Sequence, residues 1–204
     1  MIDHLRDELK KNPRSVIAHH RLALSLWKAQ RIEEAIDMFT KALEIDPISF
    51  EIRINLGSLY FQIGRFEEGI QENKKALEIY PRSAEALTNI GSAYIHLKKW
   101  QEAADYLKKA IAIKPTMVPA WTNLTTVLIE MGEYTEAKEA GEQAVKLAPT
   151  FPLAHNNLAV AFYHLGNYEK ARIHMEKARD LGYPVHPDFI ELVQEKASQA
   201  TQRQ

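Results

Sequence analysis

Residues 50–83 read FEIRINLGSLYFQIGRFEEGIQENKKALEIYPRS, and residues 84–117 read AEALTNIGSAYIHLKKWQEAADYLKKAIAIKPTM. Laid over one another without a gap, the two blocks put Leu56 on Ile90, Gly57 on Gly91, Tyr60 on Tyr94, Phe66 on Trp100, Ala76 on Ala110 and Pro81 on Pro115. The register runs on in both directions, because Pro13, Pro47, Pro81, Pro115 and Pro149 are each 34 residues apart. A fixed period of this length means a stack of like supersecondary units rather than one globular core. Such stacks build long curved surfaces and seldom build catalytic pockets.

With Val16 as position 1, five blocks open at Val16, Phe50, Ala84, Val118 and Pro152. Position 7 is Leu22, Leu56, Ile90, Leu124 and Leu158; position 8 is small, as Ala23, Gly57, Gly91, Thr125 and Ala159; position 11 is bulky, as Leu26, Tyr60, Tyr94, Leu128 and Phe162. With position 4 they follow the 3.6-residue period of one buried helical stripe. A break follows near position 15, where Gly64, Gly132 and Gly166 stand in three blocks. Position 17 is large (Ile32, Phe66, Trp100, Tyr134, Tyr168), position 20 is tiny (Ala35, Gly69, Ala103, Ala137, Ala171), and position 27 is alanine throughout (Ala42, Ala76, Ala110, Ala144, Ala178). Small residues at fixed points let two helices approach closely, and proline at position 32 ends the second helix.

On these residues the chain resembles the tetratricopeptide repeat family over nearly all of its length. The resemblance implies an all-α, right-handed solenoid of helix-turn-helix units. Residues 1–15 read as a half repeat, the second helix of a unit, with Ile2, Leu5 and Leu9 as its inward stripe. Five repeats follow at 16–49, 50–83, 84–117, 118–151 and 152–185. Residues 186–204 read as a capping helix, with Phe189, Val193 and Ala197 towards the stack and Ser198–Gln204 fraying. Some residues depart from the family pattern. Position 4 is polar in His19, Arg53 and His155, and position 24 is Asn73 and Gly141. A glycine inside a helix costs roughly 0.5–1 kcal/mol relative to alanine, so the fourth repeat is expected to be the loose point.

Composition bounds the function classes. The 204 residues are 46% hydrophobic and 26% charged, and Lys+Arg 26 against Asp+Glu 27 leaves a net charge of −1. Phosphate binding calls for a basic excess, so no nucleic-acid partner is expected. The absence of cysteine removes disulfides, thiolate metal sites and thiol nucleophiles together. No stretch approaches the ~18 apolar residues of a membrane span, so no direct membrane insertion is expected. The first residues lack the basic and apolar regions of a secretory leader, and the expected location is the cytoplasm.

In this architecture the first helix of each pair lines the concave side, which presents positions 2, 5, 6, 9, 12 and 13. Position 6 reads Arg21, Asn55, Asn89, Asn123 and Asn157. A primary amide carries two donors and an acceptor, so a row of asparagines can grip the backbone of an extended peptide. The row is similar to the asparagine ladder in the repeat domain of O-GlcNAc transferase. The alternative is that these amides serve solubility or bond within their own helix. Four rungs at ~0.5–1.5 kcal/mol each give about 2–6 kcal/mol, short of the ~8 kcal/mol of a micromolar complex. Apolar sockets are expected to supply the rest: Trp27, Ile54, Phe61, Ile95, Ile129 and Tyr163, with Leu24, Val160. Each of these side chains can also simply pack between neighbouring first helices.

Other chemistry finds little support. Some family members clamp the C-terminal carboxylate of heat-shock chaperones with Lys, Asn, Asn, Lys and Arg at set positions. Here those positions hold His20, Leu24, Asn55, Glu85 and Asn89 or, one repeat later, Ile54, Ser58, Asn89, Pro119 and Asn123, so only position 6 agrees. Acidic residues such as Glu33, Glu67 and Glu102 open second helices and lysines such as Lys41, Lys74 and Lys108 close them, which complements the helix dipole. His19 and His20 are adjacent and point apart on a helix, and His96 and His164 share position 13 two repeats apart. No metal, cofactor or catalytic group is expected. The sequence thus points to a non-catalytic adaptor that holds a peptide or protein segment in its concave groove. The alternatives are a substrate-recruiting component of an enzyme complex, and a scaffold that self-assembles as a homo-oligomer through its N-terminal half repeat.

Overall fold

A computed structural model describes residues 1–201, with side chains described to Gln199. Twelve helices and no strand occur among the described residues: α1 (Ile2–Lys11), α2 (Val16–Lys28), α3 (Ile32–Ile45), α4 (Phe50–Gln62), α5 (Phe66–Ile79), α6 (Ala84–His96), α7 (Trp100–Ile113), α8 (Val118–Glu130), α9 (Tyr134–Leu147), α10 (Pro152–His164), α11 (Tyr168–Asp180) and α12 (Pro187–Thr201). They form an all-α helical repeat of the solenoid class. The chain divides into two units, Met1–Leu97 and Lys98–Gln204. Ser198–Thr201, expected to fray, belong to α12, and the last residues of that tail lie outside the described residues.

Proline sets where second helices stop. The residue ahead of each proline has nearly the same backbone: Asn12 (φ −136°, ψ 79°), Asp46 (−130°, 86°), Tyr80 (−128°, 87°), Lys114 (−133°, 85°) and Ala148 (−138°, 79°). Five different side chains share one conformation because the following pyrrolidine ring bars the α region to its predecessor. In repeat 5 the proline comes one residue later, as Pro184. There α11 is one residue shorter than α9 and the chain turns at Gly182, with φ 89°.

The turn inside each pair depends on a left-handed residue at position 15. Gly64, Gly132 and Gly166 adopt φ of 77°, 78° and 74°, and the non-glycine residues Gln30 and Lys98 adopt 58° and 55° at the same place. Packing then follows the small positions. All five position-27 alanines are fully buried, as are Ala35, Ala103, Ala137 and Ala171 at position 20. A Cβ at Gly69 would run into the Phe61 ring, and one at Gly57 into Asn73. Gly141, expected to loosen repeat 4, is instead filled: its Cβ would lie 3.2 Å from Leu158 Cδ1 and 3.4 Å from Thr125 Cγ2.

In the first unit Leu5 of α1 joins a core with Leu22, Leu26, Phe39 and Leu59, and Ile2 and Leu9 pack beside it. In the second unit Val193 of α12 is buried with Leu158, Phe162 and Met175, and Phe189 packs against them. Glu191 and Glu195 face water, and Lys196, placed with them by the sequence, is half-buried.

Candidate functional site

The first helices α2, α4 and α6 of the first unit, and α8 and α10 of the second, carry the residues singled out from the sequence. Positions 2 and 13 are exposed almost throughout, and position 12 is half-buried in every repeat: Trp27, Phe61, Ile95, Ile129 and Tyr163. Trp27 donates its indole N–H to Gln62 Oε1 at 2.6 Å, tying position 12 of one repeat to position 13 of the next. The Phe61 ring stacks 6.5 Å from Phe66, and Tyr163 makes edge contacts with Tyr168 at 5.6 Å and Phe189 at 5.7 Å. Ile54 differs from these. It is only 4% exposed, in a small cluster with Ala76 and Ala86, and so contributes core more than surface.

The asparagines at position 6 do a job that their spacing alone does not reveal. Asn55 donates its amide to His20 Nε2 at 2.9 Å. Asn89 donates to Ser58 Oγ at 3.2 Å and to Asn73 Oδ1 at 3.3 Å. Asn157 donates to Thr126 Oγ1 at 2.8 Å and to the Thr122 carbonyl at 3.4 Å. Each amide nitrogen thus braces its first helix to that of the preceding repeat. Asn157 is only 7% exposed, while Asn55, Asn89 and Asn123 are half-buried. Arg21, at the same position in repeat 1, is exposed and lies 3.6 Å from Glu8. A signal for the brace was present: hydroxyl residues Ser58 and Thr126 stand 31 residues before Asn89 and Asn157, whereas Leu24 holds that place before Asn55. Asn55 uses His20 instead. Burial pushes the His20 imidazole below its ordinary range, against an opposing pull from Glu51, and an uncharged Nε2 is what accepting from an amide requires.

Asn73 continues the first unit's network inward. Fully buried, it donates to the Gly69 carbonyl at 2.9 Å while its Oδ1 accepts from Asn89. Among the described residues every buried side-chain nitrogen and oxygen has a partner, as the cost of burying an unpaired polar group demands.

Position 4, where Arg53 and His155 depart from the pattern and Trp121 does not, has a common role in three repeats. Arg53 Nη2, Trp121 Nε1 and His155 Nε2 donate to the carbonyls of Pro47, Pro115 and Pro149, at 2.7, 2.8 and 2.9 Å. Each ties the first helix to the turn that precedes it. Position 23 of the second helix faces the same space. Arg53 meets Glu72 there at 2.8 Å, with both side chains only 14% and 13% exposed. His155 meets His174, Nδ1 to Nδ1, at 3.0 Å. Burial first, then the nearby His155 and Lys170, push His174 down to about 4, so its ring carries no charge at neutrality.

The position-13 histidines stack on aromatic side chains at position 17 of the preceding repeat: His96 on Phe66 at 4.9 Å and His164 on Tyr134 at 4.2 Å. Among the described residues no group of three His, Cys, Asp or Glu is placed to hold a metal ion. None of the described helices is long and apolar enough to cross a membrane. Lysines near the ends of second helices are engaged locally: Lys75 with Glu72 at 2.6 Å, Lys108 with Glu136 at 3.7 Å, and Lys109 over the Tyr106 ring at 5.2 Å.

No curated protein matches the chain in sequence. Among solved structures it is similar to MamA, with 28% identity and a TM-score of 0.72, over 81% of this chain and 91% of that one. It is similar to pilF of Pseudomonas aeruginosa, with 25% identity and a TM-score of 0.79, over 99% and 87% of the two chains. It also shares the fold of YrrB, described as a tetratricopeptide repeat protein with an unusual peptide-binding site, at 21% identity and a TM-score of 0.74, over 97% and 100%. Sequence profiles of the tetratricopeptide repeat match residues 16–49, 49–116, 94–140 and 124–182. Their union runs unbroken from 16 to 182, and with the paired helices it establishes that the chain belongs to the tetratricopeptide repeat family.

Proposed function

We propose that the chain is a non-catalytic adaptor whose first-helix face holds an extended segment of a partner protein. The observation that carries this reading is the position-6 amides in the setting of the position-12 row. The amide nitrogens of Asn55, Asn89 and Asn157 are committed to the preceding repeat. That fixes each side chain and leaves its carbonyl oxygen without a partner among the described residues, a ready acceptor for a visiting backbone N–H. Half-buried Trp27, Phe61 and Ile95 in the first unit, and Ile129 and Tyr163 in the second, add apolar sockets within each unit. A rung that is already immobile loses little entropy when it binds. Repeat proteins of this family are interaction modules, and YrrB, of the same fold, has a peptide-binding site. Service as the recruiting part of an enzyme complex is the same act of binding with an enzyme as the beneficiary.

Affinity capture from the native cell, followed by competition with peptides of the captured protein, identifies the ligand. Replacing Asn55, Asn89, Asn123 and Asn157 with alanine should then weaken binding at least tenfold, measured where the variant is fully helical. Unchanged affinity would remove the amides from the mechanism. Trp27→Ala, which leaves the amides in place, should weaken the same ligand less.

A second reading rests on a different patch. Leu24, 39% exposed, lines an apolar cleft of about 660 Å³ with Met1 and Ile2, and Ile17, 69% exposed, stands about two turns earlier on α2. Self-association through this flank of α1 and α2 predicts a mass that rises with concentration in light scattering and falls back to monomer in an Ile17→Glu, Leu24→Glu variant. A wild-type chain that stays monomeric at millimolar concentration rules it out.

A further inference from the structure

The second unit carries a cleft of about 880 Å³ between its second helices α7 and α9, away from the asparagine row. Its floor is α8: Leu124 and Leu128 are buried beneath it, and Trp121 lines it with its N–H spent on the Pro115 carbonyl at 2.8 Å. The indole therefore offers the cleft only carbon and the face of its π-system. Equivalent recesses in repeats 1 and 2, where position 23 is Met38 and Glu72, measure only about 410 and 310 Å³, and position 23 accounts for the wider opening here. Glu72 occupies that position in repeat 2 and pairs with Arg53, and His174 occupies it in repeat 5 and stacks on Phe162 at 5.6 Å. In repeat 4 it is Ala140, which is too short to reach across.

The rim is charged on one side. Glu136, Glu139 and Glu142 stand one turn apart along α9, all exposed, against Lys108 on α7. Lys108 lies 3.7 Å from Glu136, beyond a good hydrogen bond. Glu139 and Glu142 have no basic partner among the described residues. Three carboxylates against one ammonium give the rim a net charge of −2 (1 − 3 = −2).

We propose that this cleft docks a segment of a partner protein that is both apolar and basic. One aliphatic or aromatic side chain enters against Trp121 and Leu124, and flanking Lys or Arg residues lie across Glu139 and Glu142. An apolar anchor in a pocket ringed by polar contacts is the usual economy of a small protein-recognition site, and the charge of the rim selects the sign of the flanks. The inference stands apart from the adaptor reading, since it uses neither the asparagines nor the position-12 row.

The test titrates the full ¹⁵N-labelled chain with two probes, acetyl-RRLLRR-amide and acetyl-EELLEE-amide. The basic probe should shift the Trp121 indole N–H, assigned by its loss in Trp121→Phe, together with amides of α7, α8 and α9, saturably and more weakly as salt rises. The acidic probe should leave them unmoved. Glu139→Lys with Glu142→Lys, an exposed double change that spares the core, should weaken the basic probe at least tenfold. Ala140→Met, which fills the cleft, should do the same if circular dichroism shows it folded. Equal response to both probes, shifts centred on Asn123 and Ile129 instead, or an unchanged affinity in the Glu139→Lys, Glu142→Lys protein would each overturn the proposal.

Discussion

Repeats 2 and 4 carry the same helix pair but treat the space between positions 4 and 23 in opposite ways. In repeat 2, Arg53 spans it, donating to the Pro47 carbonyl and to Glu72, and this polar plug leaves a recess of only about 310 Å³. In repeat 4, Trp121 donates to the equivalent Pro115 carbonyl, but Ala140 stands opposite and a cleft remains. The backbone is satisfied alike in both. What differs is how far the second helix sends a side chain back: the recess is about 310 Å³ beside Arg53 and Glu72 and about 880 Å³ beside Trp121 and Ala140.

That contrast can be broken most forcefully at its charged end. Glu72→Ala leaves the Arg53 guanidinium buried without its carboxylate, and breaking such a pair costs about 3–5 kcal/mol. Urea unfolding should show a loss of that order, and Ala140→Gly much less. A Glu72→Ala protein as stable as the parent would mean the plug contributes nothing. Repeat 5 supplies the next test. His174 is held down to about 4 against 6.5 for a free imidazole, so between those values the unfolded chain binds the extra proton. Its contribution is therefore complete above pH 6.5 and lost as pH falls towards 4. With the ring half-exposed, the amount is on the order of 1–2 kcal/mol. His174→Phe should flatten that part of the stability–pH curve, and an unaltered curve would locate the dependence elsewhere.

Grafting sharpens the comparison further. Trp121→Arg with Ala140→Glu copies the repeat-2 pair into repeat 4. Since a buried pair roughly breaks even against apolar packing, stability should change by about 1 kcal/mol or less, while the basic probe loses its site. The smallest effect lies at position 15. Gln30 and Lys98 hold left-handed backbone that glycine holds in the other repeats. Replacing either with glycine relieves about 1–2 kcal/mol of steric cost against a gain in unfolded-chain entropy of about 0.5–1. A rise of about 0.5 kcal/mol should appear in thermal melts.

The helical phase was legible because it rests on side-chain volume, which recurs at positions 7, 8, 11, 20 and 27 whatever the local chemistry. The polar positions were harder to read. Asn89 and Asn157 looked like free rungs because their partners, Ser58 and Thr126, lie in a different repeat and share no position with them. Arg53 and His155 at position 4 looked like exceptions because they have little in common with Trp121 except an N–H able to reach the same carbonyl. Gly141 looked like a weakness because the methyl that fills it belongs to Leu158, seventeen residues on (158 − 141 = 17). Nor does residue type disclose the left-handed turns at Gln30 and Lys98, which show only by alignment with Gly64, Gly132 and Gly166.

The uniform geometry ahead of each proline has an evolutionary corollary. A module whose end is dictated by the residue after it can be copied whole, since any side chain tolerates the instruction. Duplicating or excising 34 residues preserves every stripe downstream, but deleting a single residue inside a helix rotates the remainder of that helix by about 100°. Growth of this chain is therefore quantised in complete blocks, and its history should be written in gains and losses of entire units.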